Sequence, residues 1–479
     1  MQETNFDFVV IGSGPAGSII SKFLSERNYK IAIVDRASDQ IKGRKNFIFN
    51  PYVNKCPNYY TPSFSDQIGG NSALWHKKIY LITKDEITNG KWPLKYSEIL
   101  KYSKILSKKL KVNHKDLIFN NKPENNYKYS KSKRAKFSNI YDYLKLAKNS
   151  KIKTFKSSSP IKVYLKNKKK ITGVEIFNYN KNSRIKINIS KAMIFCAGGL
   201  GNTFLLKNLL KELGKESGNF LCDHPHVQLV NLDSKLAKYF KKISKVFIFS
   251  KEKKNIEKSR EFNIYLNIKN YFAGIQLSTN IDPTLLLSRL YLKSNLFNFF
   301  GSPFRFFSKF INMIMFLVNI IFKIYYKVLD FLGKPGKYSF EFFFSQEKNF
   351  SNNLKLSKNK VDEFGLKKLD INWKISKNDI TIYEKMIKKF LNSSNLLINR
   401  SFSLNKIEKN IYVGLHPSCS NSLGVNKDTI VDTNLRIKKF SNLFICGSDV
   451  FPSNGFTNPT WTIMTLGTRL SFYLKKKFK

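Results

Sequence analysis

The glycines near the N-terminus are spaced for binding a phosphate-bearing ligand. An apolar run of strand type is followed at once by Gly12-x-Gly14-x-x-Gly17, then by a helical pattern and a second apolar run at 31–34. Gly12 permits a tight turn, Gly14 lets the backbone approach a pyrophosphate, and Gly17 lets the helix pack closely on the strand. The free N–H groups at the helix N-terminus then face the anion. This order predicts a dinucleotide-binding βαβ unit over a plain strand-turn-helix.

A carboxylate stands where such a unit holds the ribose of its ligand. Asp35 ends the second apolar run, and Arg36 follows it. An acidic residue about 20 positions after the glycine turn accepts hydrogen bonds from ribose hydroxyls. The motif alone does not distinguish FAD from NAD.

Other segments carry small, polar and histidine residues in a fixed order along the chain. They are Gly69-Gly70-Asn71-Ser72, Lys91-Trp92-Pro93-Leu94, the apolar run and glycine turn at 194–203, the stretch 218–225, Leu415-His416-Pro417, the stretch 431–436, Phe451-Pro452 and Asn458-Pro459-Thr460. In this order the chain resembles the glucose-methanol-choline (GMC) oxidoreductases, flavoproteins that bind FAD. The resemblance covers nearly the whole chain and is weakest between residues 228 and 340.

The resemblance implies roles for two polar residues near the C-terminus. In that family a histidine and a second polar residue face the flavin, and they match His416 and Asn458 here. Oxidation of an alcohol needs a base with a pKa near neutrality beside the hydroxyl, while hydride passes to the flavin N5; histidine fits that role. An asparagine amide stays neutral and can donate to the developing alkoxide. Each residue precedes a proline, so a purely structural turn is the alternative for either one.

The resemblance also implies which residues contact the cofactor. The expected FAD-binding residues are Gly12, Gly14, Pro15, Ala16, Gly17, Asp35, Arg36, Gly69, Gly70, Asn71, Ser72, Ala197, Gly198, Asp449, Asn458, Pro459 and Thr460. Some relatives attach FAD covalently through a histidine, but the matching position here is Leu74, with His76 two places away. Non-covalent FAD is therefore expected.

Two departures from the family pattern bear on the reaction. Cys419-Ser420 replaces the glycine and threonine that often follow the His-Pro pair, and the arginine found nearby in relatives is missing. The segment Cys446-Gly447-Ser448-Asp449 is closer to membrane-associated sugar dehydrogenases of the family. This favours a dehydrogenase over an oxidase.

Composition sets the outer limits. The chain has 479 residues, of which 42% are hydrophobic, and is long enough for two packed domains. Its five cysteines are scattered without a CxxC pair, which predicts neither a disulfide framework nor a metal site. The first strand pattern begins at Phe6 and leaves no room for a signal peptide, so a cytoplasmic location is expected.

The formal net charge of +51 is extreme. A basic surface of this size attracts nucleic acid, anionic lipid or an acidic substrate. Lysine, asparagine, isoleucine, phenylalanine and tyrosine are abundant throughout, however, and genome base composition also produces that pattern. The lysines of 101–137 and 151–191 do not form an RNA-binding motif with ordered aromatics. No specific nucleic-acid partner is predicted.

The segment 304–332 is nearly all apolar. On a helix, the polar residues of one narrow stripe are Arg305, Lys309, Asn312, Asn319, Lys323 and Lys327. This pattern favours a helix lying in an anionic membrane interface, with its lysines at the headgroups. A buried helix and a spanning helix are the alternatives, although the charge-free part is shorter than the roughly 20 residues that a span needs.

The predicted fold class is α/β, with a Rossmann-like FAD-binding domain interleaved with a substrate domain built on an antiparallel β-sheet. The FAD-binding domain takes 1–95, 150–227 and 405–479, and the substrate domain takes 96–149 and 228–404. Alternating stretches near 225–232, 261–278, 339–346 and 367–374 are predicted to form the antiparallel sheet. Helices are predicted at 93–110, 378–393 and 459–475.

These features favour an FAD-dependent oxidoreductase acting on a CH–OH group. The expected substrate is a sugar, a polyol or a lipid-linked alcohol, and the expected electron acceptor is a quinone or another carrier. Peripheral contact with the cytoplasmic face of an anionic membrane is expected from 304–332. Three alternatives stay open: an oxidase that uses O₂, a non-redox lyase on the same fold, and a non-enzymatic basic protein of the membrane surface.

Overall fold

The structure is a computed structural model that describes two large sheets and the helices around them. The described residues are 2–37, 48, 65, 67–73, 75, 77–118, 120–124, 127–131, 133–135, 137, 139–230, 262–268, 270–278, 339–393, 411–412 and 416–479. Leu74, His76 and the predicted amphipathic helix 304–332 lie outside them. In this part of the chain, no helix combines the length and the apolar character needed to cross a bilayer.

The elements follow the periodicity of the sequence. The strands are β1 (Gln2–Ile11), β2 (Ile31–Val34), β3 (Lys78–Ile79), β4 (Asn120–Glu124), β5 (Tyr127–Lys131), β6 (Lys133–Arg134), β7 (Ile152–Phe155), β8 (Ser158–Lys166), β9 (Lys170–Asn178), β10 (Ser183–Phe195), β11 (His226–Val230), β12 (Phe262–Ile268), β13 (Tyr271–Ser278), β14 (Ser339–Phe344), β15 (Asn353–Val361), β16 (Lys367–Asn372), β17 (Ile411–Tyr412) and β18 (Leu443–Ile445). The α-helices are α1 (Pro15–Ser25), α2 (Lys84–Asn89), α3 (Tyr96–Lys109), α4 (Ile140–Tyr143), α5 (Gly198–Leu209), α6 (Lys377–Ser393) and α7 (Pro459–Lys477).

The first sheet is built around the N-terminal βαβ unit. Its order is β7-β2-β1-β10-β9-β8, with β18 also paired to β10. Five strands run parallel to one another, namely β7, β2, β1, β10 and β18. Strand β9 is antiparallel to both β10 and β8. All four residues of β2 are buried, as expected for a parallel strand covered on both faces. Helix α7 packs against α1, which brings the C-terminal segment back to the N-terminal unit.

The second sheet is antiparallel and combines strands from the N-terminal, central and C-terminal parts of the chain. Its order is β17-β11-β14-β13-β12-β5-β4. It confirms the sheet predicted from 225–232, 261–278 and 339–346. Phe342 and Phe344 on β14 pack against α6, where Phe344 stacks on Tyr383 with ring centroids 4.2 Å apart. The predicted fold class is confirmed, and the predicted domain boundaries stay a prediction.

The placement of 367–374 in the second sheet is wrong. Strand β16 pairs with β15 as a separate two-stranded sheet. Lys367 N–H donates to Asn208 Oδ1 (3.0 Å) at the end of α5, so this hairpin sits on the dinucleotide-binding side. Alternation of apolar and polar residues predicts a strand but does not choose its partner.

Candidate active site

The glycine turn after β1 is shaped around an open cradle. Ser13 N–H donates to Asp35 Oδ2 (2.6 Å), and Ala37 N–H donates to Asp35 Oδ1 (2.8 Å). Gly12 has φ +103°, a conformation that favours glycine. A Cβ placed on Gly14 meets no heavy atom within 4 Å. The turn therefore leaves space in front of Gly14 and holds a carboxylate at its side.

The segment at 69–72 lies directly on this turn. Gly69 N–H donates to Ser13 Oγ (2.8 Å), and a Cβ on Gly70 would lie 3.2 Å from the Cα of Gly14. Ser72 closes the segment by donating from Oγ to the Gly69 carbonyl (2.6 Å). Two segments that the sequence assigned separately to FAD thus meet at one place.

The turn after β10 reaches the same place from the other side. A Cβ on Gly12 would lie 2.5 Å from the Cys196 carbonyl oxygen, and Asn202 Oδ1 accepts from Ala197 N–H (2.8 Å). Asn202 Nδ2 donates to Asp449 Oδ1 (2.8 Å), while Asn421 Nδ2 donates to Asp449 Oδ2 (3.0 Å). Burial raises the pKa of Asp449 to about 7, against the lowering effect of these amides.

Arg36 faces the β15–β16 hairpin. Its guanidinium contacts Asp362 Oδ2 at 2.7 Å and lies 4.3 Å from the Phe364 ring centroid. Its Nη2 is buried and has no hydrogen-bond partner among the described residues. The structure therefore holds Arg36 beside Asp35 through protein contacts, and its role toward FAD stays a prediction.

These residues fit the adenosine diphosphate part of FAD. The space at Gly14, the N-terminus of α1 and the Asp35 carboxylate are the three features that a pyrophosphate and its ribose require. Pro15 occupies the first turn of α1, where no N–H is needed within the helix.

Two histidines lie together at the edge of the second sheet. The ring centroids of His224 and His416 are 5.0 Å apart, with the planes at 69°. Asp223 Oδ1 accepts from both backbones, from His224 N–H at 2.7 Å and from His416 N–H at 2.9 Å. Burial lowers the pKa of His416 well below its usual value, and the nearby rings of His224 and His226 lower it further. His416 is therefore neutral at pH 7, as a general base must be.

Sequence reasoning missed three of the side chains around this pair. His226 Nδ1 lies 3.3 Å from Glu341 Oε1 across the β11–β14 pairing. Asn454 joins the pair to the second sheet, because its carbonyl lies 2.9 Å from His224 Nε2 and its Oδ1 accepts from Gln346 N–H (3.1 Å). The available signal was His226 itself, two residues after His224 and at the start of β11.

Asn458 is the N-cap residue of α7 and follows a tightly held loop. Glu86 Oε1 accepts from Phe456 N–H (2.8 Å), Thr457 N–H (3.1 Å) and Thr457 Oγ1 (3.1 Å). Glu86 Oε2 accepts from Thr83 in a capping box at the start of α2. Thr83-x-x-Glu86 is readable in the sequence as a capping box, but its hold on the Asn458 loop is not.

The predicted site residues thus gather on adjoining loops. Gly199, Ser448 and the Pro417 carbonyl are in contact, with Ser448 Oγ donating to Pro417 at 2.7 Å. His416 connects to the Asn458 loop through His224 and Asn454. The fold and these loops have the features of a dinucleotide-binding protein.

A family match gives the narrower assignment. Residues 349–467 match the family model described as GMC oxidoreductase, a range that includes His416, Asp449 and Asn458. Over this part of the chain, the match confirms the resemblance to the GMC oxidoreductases that the sequence predicts. GMC oxidoreductases generally bind FAD.

The solved structures show the same fold. The chain is similar to the crystal structure of pyridoxine 4-oxidase from Mesorbium loti, with a TM-score of 0.59 and 13% sequence identity, over 98% of this chain and 99% of that chain. Identity this low shows the fold alone. No curated protein matches the sequence significantly.

Proposed function

We propose that this protein is an FAD-dependent oxidoreductase that oxidises a CH–OH group, with His416 as the base. The observation that carries the proposal is the position of His416, which is linked through His224 and Asn454 to the loop of Asn458, near the glycine segments that fit FAD. His416 is half-buried, and its lowered pKa leaves it ready to accept a proton at neutral pH.

The residues that would hold FAD come from the segments that meet at the glycine turn. Gly14 and the N-terminus of α1 would receive the pyrophosphate, and Asp35 the ribose hydroxyls. When bound, FAD supplies the acceptor for the hydride that leaves the alcohol carbon. The segments 69–72 and 197–198, both in contact with the turn, border the same cradle.

His416 and Asn458 would divide the remaining work. His416 accepts the hydroxyl proton at a ring nitrogen, since its lowered pKa keeps that nitrogen free at pH 7. Asn458 donates from its amide to the alkoxide oxygen as negative charge develops there. Glu86 keeps the preceding residues in one conformation through its hydrogen bonds to Phe456 and Thr457. The buried setting strengthens each of these interactions.

The substrate and the acceptor are proposed from the sequence. A sugar, a polyol or a lipid-linked alcohol suits a protein whose segment 304–332 is expected to contact an anionic membrane. Reoxidation by a quinone or another carrier is proposed over reaction with O₂. Oxidase activity, lyase activity and a non-enzymatic role at the membrane surface are the alternatives.

The test is an anaerobic titration followed by visible absorption. Purified protein with bound FAD is mixed with sugars, polyols and long-chain alcohols in separate cuvettes. Bleaching of the flavin band by one class supports alcohol oxidation and identifies the substrate class. Hydrogen peroxide released in air at the rate of turnover would instead assign an oxidase, and turnover without bleaching would assign a lyase. A protein that binds no FAD would overturn the proposal.

A further inference from the structure

Two imidazole nitrogens are buried side by side without hydrogen-bond partners. The Nδ1 atoms of His224 and His416 are both inaccessible to solvent and have no partner among the described residues. A buried polar atom without a partner is uncommon and calls for an explanation. The two rings are neighbours, with centroids 5.0 Å apart in an edge-to-face arrangement.

The protonation pattern of His224 follows from its one hydrogen bond. Nε2 of His224 lies 2.9 Å from the Asn454 carbonyl oxygen. A carbonyl oxygen only accepts, so Nε2 must carry the proton. Burial lowers the pKa of His224 to about 4, and the ring therefore holds a single proton at pH 7. Nδ1 of His224 is thus a buried lone pair that can only accept.

His416 can satisfy that acceptor in only one of its tautomers. If Nδ1 of His416 carries the ring proton, it can donate to Nδ1 of His224, and Nε2 of His416 is left free. The ring centroids are 5.0 Å apart, so two ring nitrogens that are turned toward each other can reach the roughly 3 Å of a hydrogen bond. In the other tautomer both Nδ1 atoms are buried acceptors, and neither can donate to the other.

We propose that His224 is a positioning residue that fixes the tautomer of His416, so that Nε2 of His416 is the nitrogen that takes the proton of the substrate. This inference rests on the function proposed above. The chain of hydrogen bonds runs from the Asn454 carbonyl to Nε2 of His224, and from Nδ1 of His224 to Nδ1 of His416. All three groups are neutral. The arrangement resembles in logic the use of a third group to orient a catalytic histidine, here with a neutral imidazole in place of a carboxylate.

Hydrogen bonds from Asp223 and to Asn454 hold the two histidines and the carbonyl in fixed positions. Asp223 Oδ1 binds the backbone N–H of both histidines, which fixes the distance between their Cα atoms. Asn454 is itself held from two sides, by donation from its Nδ2 to the Asp223 carbonyl (2.6 Å) and by the Gln346 N–H. His226 cannot take the place of His224, because its Nδ1 is directed to Glu341.

Two substitutions separate the proposed role from a structural one. In His224→Asn the side-chain oxygen can lie where Nδ1 was, so the acceptor toward His416 is kept and the donor toward Asn454 is lost. In His224→Gln the amide nitrogen can lie where Nε2 was, so the donor is kept and the acceptor is lost. His114→Gln is a comparison at a histidine outside the pair, whose Nε2 lies 3.0 Å from Ser103 Oγ.

The readout is the rate of flavin reduction in anaerobic stopped flow, at saturating and at low substrate. His224→Gln is expected to slow reduction by about 10-fold to 100-fold, the worth of one buried hydrogen bond, with little change in KM. His224→Asn is expected to keep most of the rate. The reverse order would show that His224 only holds the loop, and equal rates in both variants and the wild type would overturn the proposal.

A second measurement does not depend on turnover. The chain has five histidines, so protein labelled with ¹⁵N-histidine gives few ring signals. The wild type is expected to show His416 protonated at Nδ1, and His224→Gln to shift it toward Nε2 protonation or a mixture. Protonation of His416 at Nε2 in the wild type would refute the inference. If the predicted tautomer is found but no alcohol reduces the flavin, the proposed function fails and the assignment of His224 stands.

Discussion

Replacement of Gly14 by alanine should remove FAD without weakening the protein itself. Gly14 has φ −60° and ψ −174°, a conformation that any L-residue adopts. Its added Cβ meets no protein atom within 4 Å. The folded chain should therefore accept alanine freely, and the loss of a glycine from the unfolded chain should stabilise the FAD-free protein by about 0.4–1 kcal/mol.

The effect on FAD should be opposite in sign. The open space at Gly14 is where the pyrophosphate must approach the backbone. A methyl group there produces an overlap of the kind that costs about 1–3 kcal/mol in a packed place. This corresponds to roughly 5-fold to 150-fold weaker binding of FAD.

Gly17→Ala is the matched comparison. A Cβ on Gly17 would lie 1.9 Å from the Gly12 carbonyl oxygen and 3.2 Å from Val10 Cγ1. Because the first of these atoms is backbone, the strand and helix must move apart, and the FAD-free protein should lose about 1–3 kcal/mol of stability. The Gly14 and Gly17 substitutions add the same methyl group only three residues apart.

The assay combines urea unfolding of the FAD-free proteins with a fluorescence titration by FAD. The expected pattern is slightly raised stability with weak FAD binding for Gly14→Ala, and lowered stability for Gly17→Ala. Gly14→Ala with wild-type affinity for FAD would show that the pyrophosphate does not lie at this turn. Gly14→Ala with a large loss of stability would show that the space is not open.

Two further predictions concern the C-terminal loops. Glu86→Ala leaves the N–H groups of Phe456 and Thr457 buried without their acceptor. In urea unfolding, the free energy of unfolding should fall by about 1–3 kcal/mol for each unpaired group. Flavin reduction should slow at least about 10-fold, because the residues before Asn458 lose the carboxylate that holds them. In the folded protein the pKa of Asp449 is raised to about 7, against an ordinary value of 3.8. Its protonated carboxyl therefore stabilises the fold at low pH, and that stabilisation is lost as pH rises toward 7. Between pH 5 and pH 8, the free energy of unfolding of the wild type should fall by about 3 kcal/mol relative to Asp449→Asn.

Each of these has a control. Glu175 is also a buried carboxylate, bonded to Tyr164 and Arg184 far from the site, so Glu175→Ala should lower stability and leave flavin reduction unchanged. Equal rates in the Glu86 and Glu175 variants would remove Glu86 from the positioning of the loop. Parallel pH profiles of unfolding for wild type and Asp449→Asn would show that Asp449 is ionised throughout.

Local patterns in the sequence predicted the elements well. Strand β2 was predicted at 31–34 and observed there, and helix α6 was predicted at 378–393 and observed at Lys377–Ser393. Both are set by side-chain periodicity within one segment, which the sequence displays directly. The glycine turn was also predictable from the sequence, because each glycine has its own steric reason: the tight turn, the approach of the pyrophosphate, or the close packing of helix on strand.

Pairings between distant segments were not readable. Glu86 and Phe456 are 370 positions apart, and nothing in either segment names the other. The same holds for β16, whose alternating residues would suit any half-buried sheet and which pairs with β15. The site was predicted from resemblance, whereas the contacts that support it required the structure.

The central claim is that His416 is the base in alcohol oxidation by bound FAD. The most direct measurement compares wild type and His416→Ala in anaerobic stopped flow, with the FAD content of each protein determined from its absorption spectrum. The variant should keep its FAD. Flavin reduction by the alcohol identified in the titration should slow by about 10²-fold to 10⁴-fold, the usual contribution of an acid–base group. A variant that holds FAD and is reduced at the wild-type rate would contradict the claim.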